Sequence, residues 1–297
     1  MKTLSLRTKA ISTWIVLVPL LILFMVVGIL VWRQRDLNIR SKELLDVAWT
    51  KYETGDQEGA IGICNQVLTT VAVTPRAYYV RGRAYVEQGK LALAMQDFNK
   101  AIQLNDQYAE AYCARAIIHR RDGDYDRAIS EINKARELGL DEVSFYYSLG
   151  LVYEDRGELD NALQMLNNAL KLNPDSYKPY AAIGSVYWHK GAFDLCVEYC
   201  TKAIEKNPAA APSYYNRARA YHCLRAYDLA IPDYTAAIDR GLRPAKAFYH
   251  RGEAYLEKGI WDAAIADFKK ALEIQPDFSE ARTKLDRALR LSQARDS

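Results

Sequence analysis

The sequence predicts an all-α solenoid of stacked helical hairpins behind one N-terminal apolar helix. Three observations carry this. Ala60, Ala94, Ala128, Ala162, Cys196, Ala230 and Ala264 are each 34 residues apart, without an insertion. Within each step, small and large apolar residues recur at helical spacing on both sides of a turn. Between Trp14 and Trp32 lie 19 residues with no charge, WIVLVPLLILFMVVGILVW.

Residues 1–13 form a basic tail with Lys2, Arg7 and Lys9. Residues 14–32 would span roughly 28 Å as a helix, close to a bilayer's hydrocarbon core, with a tryptophan at each end as an aromatic belt. A cleaved signal peptide would end in a small-residue site, whereas this run ends in Trp32-Arg33-Gln34-Arg35, so an uncleaved single-pass anchor is expected. Residues 33–40 form a linker. Arg33, Arg35, Arg40, Lys42 and Lys51 follow the run against three basic residues before it, a near-balanced tally that leans slightly towards a cytoplasmic C-terminal domain.

Seven units follow, 41–74, 75–108, 109–142, 143–176, 177–210, 211–244 and 245–278. The last reads AKAFYHRGEAYLEKGIWDAAIADFKKALEIQPDF, with Phe248, Gly252 and Tyr255 on one stripe and Ala264, Phe268 and Ala271 on the next. Small residues let two helices approach, large ones fill the space beside them, and no hairpin can bury its apolar face alone. Pro174, Pro208 and Pro276 end second helices, and Pro232, inside one, should distort its first turn. Residues 279–297 keep a thinner stripe, Ala281, Leu285, Ala288 and Leu289, as a capping helix would, with Ser279 expected at its N-cap.

A 34-residue, two-helix unit with this pattern resembles the tetratricopeptide repeat (TPR) over residues 41–278. The resemblance implies a right-handed superhelix whose first helices line a concave surface that binds extended or helical segments of partner proteins.

The repeats also allow an internal comparison. Number each unit from its first residue. Column seven holds Arg81, Arg115, Arg217 and Arg251, and sixteen residues on, column twenty-three holds Asp97, Glu131, Asp233 and Asp267. Where column seven is apolar, its partner carries no charge: Val47 with Ile63, Leu149 with Met165, Ile183 with Tyr199. An arginine left half-buried without its carboxylate costs about 3–5 kcal/mol, so the columns should change together as structural ion pairs.

The family resemblance assigns columns two, five, six, nine, twelve and thirteen to the groove. Candidate partner-binding residues are therefore Tyr79, Arg83, Arg120, Tyr147, Trp188, Tyr215, Asn216, Arg219, Lys246, Tyr249 and His250, with Glu154, Asp155, His189 and His222 beside them. Tyrosine serves such a surface as a rigid amphipathic contact, though it can equally pack against the neighbouring hairpin. Some family members clamp the C-terminal carboxylate of chaperone tails. Asn216 and Lys246 match that pattern, while Ala181, Ser185 and His250 replace three of its groups.

A net charge of +3 gives no case for nucleic acid. Five irregularly spaced cysteines make no disulfide framework. Cys196 and Cys200 share a helix face but occupy core columns, where cysteine acts as a small hydrophobe, and structural zinc would need further ligands. No HExxH, GxSxG or GxxxxGK stretch occurs, so neither catalysis, a cofactor nor a small-molecule substrate is expected. The expected function is a membrane-anchored scaffold that docks a partner segment. A membrane receptor for chaperone tails and a metal or redox protein using Cys196 and Cys200 remain as alternatives.

Overall fold

The computed structural model describes the backbone of residues 2–71, 73–242 and 245–296, and the side chains of 22–69, 73–242 and 245–294. Among these residues there are fifteen α-helices, one short π-helical turn at Val67–Val71 and no strand. The chain divides into two compact units, residues 1–118 and 119–297.

The first unit contains α1 (Lys2–Glu53), α2 (Gln57–Gln66), α3 (Pro75–Glu87), α4 (Leu91–Leu104) and most of α5 (Ala109–Arg121). The second holds α6 (Tyr125–Glu137), α7 (Glu142–Arg156), α8 (Leu159–Leu172), α9 (Tyr177–His189), α10 (Phe193–Lys206), α11 (Ala211–Cys223), α12 (Tyr227–Asp239), α13 (Ala245–Glu257), α14 (Trp261–Ile274) and α15 (Ser279–Asp296). In the first unit α1 packs on α2, α2 on α3 and α3 on α4; in the second, each helix from α6 to α14 packs on the next.

Two columns set the hairpin geometry. Column fifteen turns the chain with a left-handed residue: Gly55, Gly89, Gly123, Gly157, Gly191 and Gly259 have φ from +73° to +86°, and Arg225 alone among them carries a side chain, at φ +58°. Column eight sets the close approach. A Cβ on Gly82 would lie 2.6 Å from the Phe98 ring, and one on Gly184 would lie 2.5 Å from Cys200 Sγ. Glycine there lets the facing helix bring a large side chain against the backbone.

Helix α12 continues through Pro232, and its first turn carries an added short-range bond from Leu229 N–H to the Ala226 carbonyl at 3.0 Å. The helical donor lost there belongs to the carbonyl of Asp228, an exposed residue that water can serve. Ser279 is the first helical residue of α15, not its cap, and its hydroxyl donates to the Glu280 carboxylate at 2.9 Å. Val47, the apolar column-seven residue of the first hairpin, is 50% exposed.

Among the described residues no helix is long and apolar enough to cross a membrane. The expected span begins at Trp14, and the side chains of residues 14–21 lie outside the described set. Over the remaining stretch, Ile22 to Trp32, the large apolar side chains are 44% to 72% exposed along one continuous helix, α1.

Candidate partner-binding surface

The column-seven arginines bond in two directions. Arg81 donates through Nε and Nη2 to the two oxygens of Asp97 at 2.8 and 2.7 Å, and through Nη1 to Asn65 Oδ1 at 2.6 Å. Arg217 makes the same set with Asp233 at 2.7 and 2.9 Å and Thr201 Oγ1 at 3.0 Å. Arg251 does so with Asp267, at 2.8 Å twice, and Thr235 Oγ1 at 2.9 Å. The hydrogen bonds they donate to the carboxylates push these arginines' pKa above its ordinary value. Arg115 Nη1 donates to Asn99 Oδ1 at 2.8 Å, and Glu131, its expected partner, belongs to the second unit. Leu149 and Ile183, the apolar alternatives, are buried.

The backward bonds reach column twenty-five of the preceding hairpin, which holds Asn65, Asn99, Asn133, Asn167, Thr201, Thr235 and Lys269. That column escapes a search within single hairpins, since it reads as one more solvated polar position. Comparing each unit with its predecessor would reveal it.

With the arginines committed to the frame, the groove columns are what remains. In the first unit Tyr79 is 8% exposed, wedged between Trp49 and Tyr108 with ring centroids at 6.1 and 5.3 Å. Arg83 donates to Tyr79 Oη at 2.9 Å and Tyr52 Oη at 2.8 Å. Little of Tyr79 is left for a partner. Its neighbours explain this: Trp49 and Tyr108 fill the space that smaller residues would leave open.

In the second unit the first helices line two cavities. One, of about 290 Å³, lies over Ala181 and Ser185, between Tyr147 and Tyr177 on one side and Asn216 on the other. Burial raises the pKa of Tyr147 to about 12. Glu154, at its edge, is hydrogen-bonded by Ser185 and lies 3.2 Å from His189 Nδ1; burial raises its pKa. Arg120 pairs with Asp155 at 3.2 Å.

The other cavity, of about 490 Å³, is lined by Tyr215, Arg219, Lys246, Tyr249, His250, Phe278 and Glu280. The Arg219 guanidinium lies flat over Trp188, 3.4 Å from the ring centroid, and so is held by a π face. Tyr249 Oη donates to Glu253 Oε1 at 2.9 Å, His250 Nδ1 lies 3.3 Å from Oε2, and Lys284 Nζ lies 2.7 Å from Oε1. Burial works against the Glu253 carboxylate, but the bonds from His250, Lys284 and Tyr249 outweigh it and hold its pKa down at about 2. Burial lowers the pKa of His222, whose ring centroid is 6.5 Å from that of His250.

Cys196 and Cys200 are fully buried, with sulfurs 4.0 Å apart. Among the described residues no cluster of three or more His, Cys, Asp or Glu could hold a metal ion.

Family models described as tetratricopeptide repeat match residues 113–177, 155–212, 199–231 and 245–278, and one described as TPR repeat matches 82–123. No curated protein matches the chain. Similar solved structures include a chain of the APC/C hetero-tetramer Cut9-Hcn1, at 22% identity and TM-score 0.71 over 82% of this chain and 48% of that one. Yeast Tom70 is similar at 16% identity and TM-score 0.63, over 86% and 54%. A tetratricopeptide repeat protein of Parabacteroides merdae is similar at 19% and 0.57, over 84% and 98%. The chain thus spans about half the length of the first two, and at these identities the likeness is one of fold. Hairpin period, packing columns and family models agree that the chain belongs to the tetratricopeptide-repeat family.

Proposed function

We propose that this protein is a membrane-held scaffold that docks a segment of a partner protein on the first-helix face of its second unit. Tetratricopeptide repeats are protein-interaction modules. The observation that carries the reading is the pair of cavities on that face, where Tyr147, Tyr215 and Tyr249 alternate with Asn216, Arg219, Lys246 and His250. Aromatic anchors among polar groups of both signs are what a peptide-binding surface needs. Membrane attachment through residues 14–32 is supported by the uncharged run and by its exposed apolar side chains from Ile22 to Trp32, and a cytoplasmic side for the repeats by the slight excess of Lys and Arg after the run.

Two experiments test this. A photo-crosslinking residue at position 215 or 249 should capture a discrete partner in cells, and one at Glu205, exposed on second helix α10, should not. Equal capture from all three would remove the groove reading. The full chain should resist alkaline extraction from membranes while a chain starting at residue 41 is released; release of both would remove the anchor.

A further inference from the structure

Column five carries tyrosine at Tyr147, Tyr215 and Tyr249, but alanine at Ala181. Together with Ala182, Ser185 and Ala210 this opens the cavity of about 290 Å³ beside Glu154. We propose that the cavity over Ala181 receives one basic side chain, arginine or lysine, from the docked segment, with the Glu154 carboxylate as its counter-ion. The inference rests on the docking reading and adds the chemistry of one partner residue to it.

Glu154 is the reason. Its side chain is 8% exposed, and its paired group is the ring of His189, 3.2 Å away and itself 45% exposed, which carries charge only when protonated. Arg120, the other cation acting on it, is committed to Asp155. Burial dominates its surroundings and makes the negative charge of its carboxylate costly. A neutral amide or hydroxyl would satisfy hydrogen bonds there but leave the charge uncompensated, and an acidic or apolar group would worsen it. Only a cation does both.

Lys178 lines the same cavity but does not serve Glu154. It lies in the first turn of α9 and Glu154 in the last turn of α7, ten columns apart, or roughly 15 Å along a helix axis. The cavity is thus acidic at one end and basic at the other. Near the basic end Ser213 is fully buried, and its Oγ has no hydrogen-bond partner.

The test selects a phage-displayed random twelve-residue peptide library on the full-length protein in detergent micelles. Affinities of the enriched peptides follow by fluorescence anisotropy. Enriched peptides should share an arginine or lysine whose change to alanine weakens binding about 30-fold or more. On Glu154→Gln that same peptide change should cost less than about twofold. Ala181→Tyr, which installs the tyrosine that four other hairpins carry in column five (Tyr79, Tyr147, Tyr215 and Tyr249), should fold as the parent does by circular dichroism and lose these peptides. Enriched peptides that bind the groove without needing a basic residue, or that bind Glu154→Gln equally well, overturn the inference and leave docking intact. No enrichment, or binding unmoved by Ala181→Tyr, Tyr215→Ala and Tyr249→Ala, overturns the docking reading itself.

Discussion

Arg251 and Asp267 meet as a two-pronged pair, Nε and Nη2 against both carboxylate oxygens at 2.8 Å, while the third nitrogen reaches back to Thr235. One side chain therefore closes its own hairpin and ties it to the one before. Arg251→Leu and Asp267→Met should each cost about 3–5 kcal/mol in urea denaturation, by stranding a buried charge. The double change should recover most of that, and Thr235→Val alone should cost only about 1 kcal/mol. Additive losses in the double variant would show that the pairing is not what couples the columns.

Arg225 stands in column fifteen, the left-handed turn between the two helices, where the other six hairpins all carry glycine. A non-glycine residue in the left-handed region costs about 1–2 kcal/mol. Arg225→Gly should therefore stabilise the second unit by about 1 kcal/mol, less what glycine's freedom returns to the unfolded chain. Unchanged or lower stability in denaturant titration would mean that the arginine side chain makes up the difference.

Gly184 and Cys200 predict a compensation. Gly184→Ala puts a methyl 2.5 Å from Cys200 Sγ and should cost about 1–3 kcal/mol through overpacking. Adding Cys200→Ala should relieve the clash while leaving only a small void. Thermal melts of the single and double variants decide whether the glycine is there for that sulfur.

Glu253 gives the pH dependence a sign. Its folded pKa of about 2 lies below the ordinary 4.5, so the stability it contributes is fully present above about 4.5 and is lost as pH falls towards 2. Glu253→Gln should flatten that part of the acid limb and leave the neutral region's slope unchanged. A limb of undiminished steepness would assign it to other carboxylates.

Cavity chemistry also separates the groove from a carboxylate clamp. Ala181 and Ser185 stand where the clamp pattern has polar partners, and the space they leave faces an acid, Glu154. Peptides with a free or an amidated C-terminus should therefore bind within about twofold of each other by anisotropy. A preference of about tenfold for the free carboxyl would favour the chaperone-tail receptor.

Much of this was legible in the sequence because a repeat states its own rules several times. The 34-residue step located the hairpins, and Gly82, Gly150, Gly184 and Gly252 marked where helices would approach. Asp97, Asp233 and Asp267 could be named because a buried arginine forces its partner to vary with it. Asn65, Thr201 and Thr235 could not, because a neutral hydrogen-bonding residue is under no such constraint and looks solvated. Tyr79 shows the limit of transferring a column: its burial depends on Trp49 and Tyr108, and other units have different neighbours. The cavity over Ala181 was hidden for a simpler reason. A missing side chain leaves no signal of its own, and the acid that gives the gap its meaning lies in the preceding hairpin.

Helix α1 runs without a break from the apolar run into the first hairpin, so residues 33–40 act as a dial rather than a tether. Each residue added there would turn the first hairpin by about 100° and lift it by about 1.5 Å relative to the run. The length of that segment thus sets which way the first hairpin faces, and changing it by one residue redirects that hairpin without altering any of its contacts.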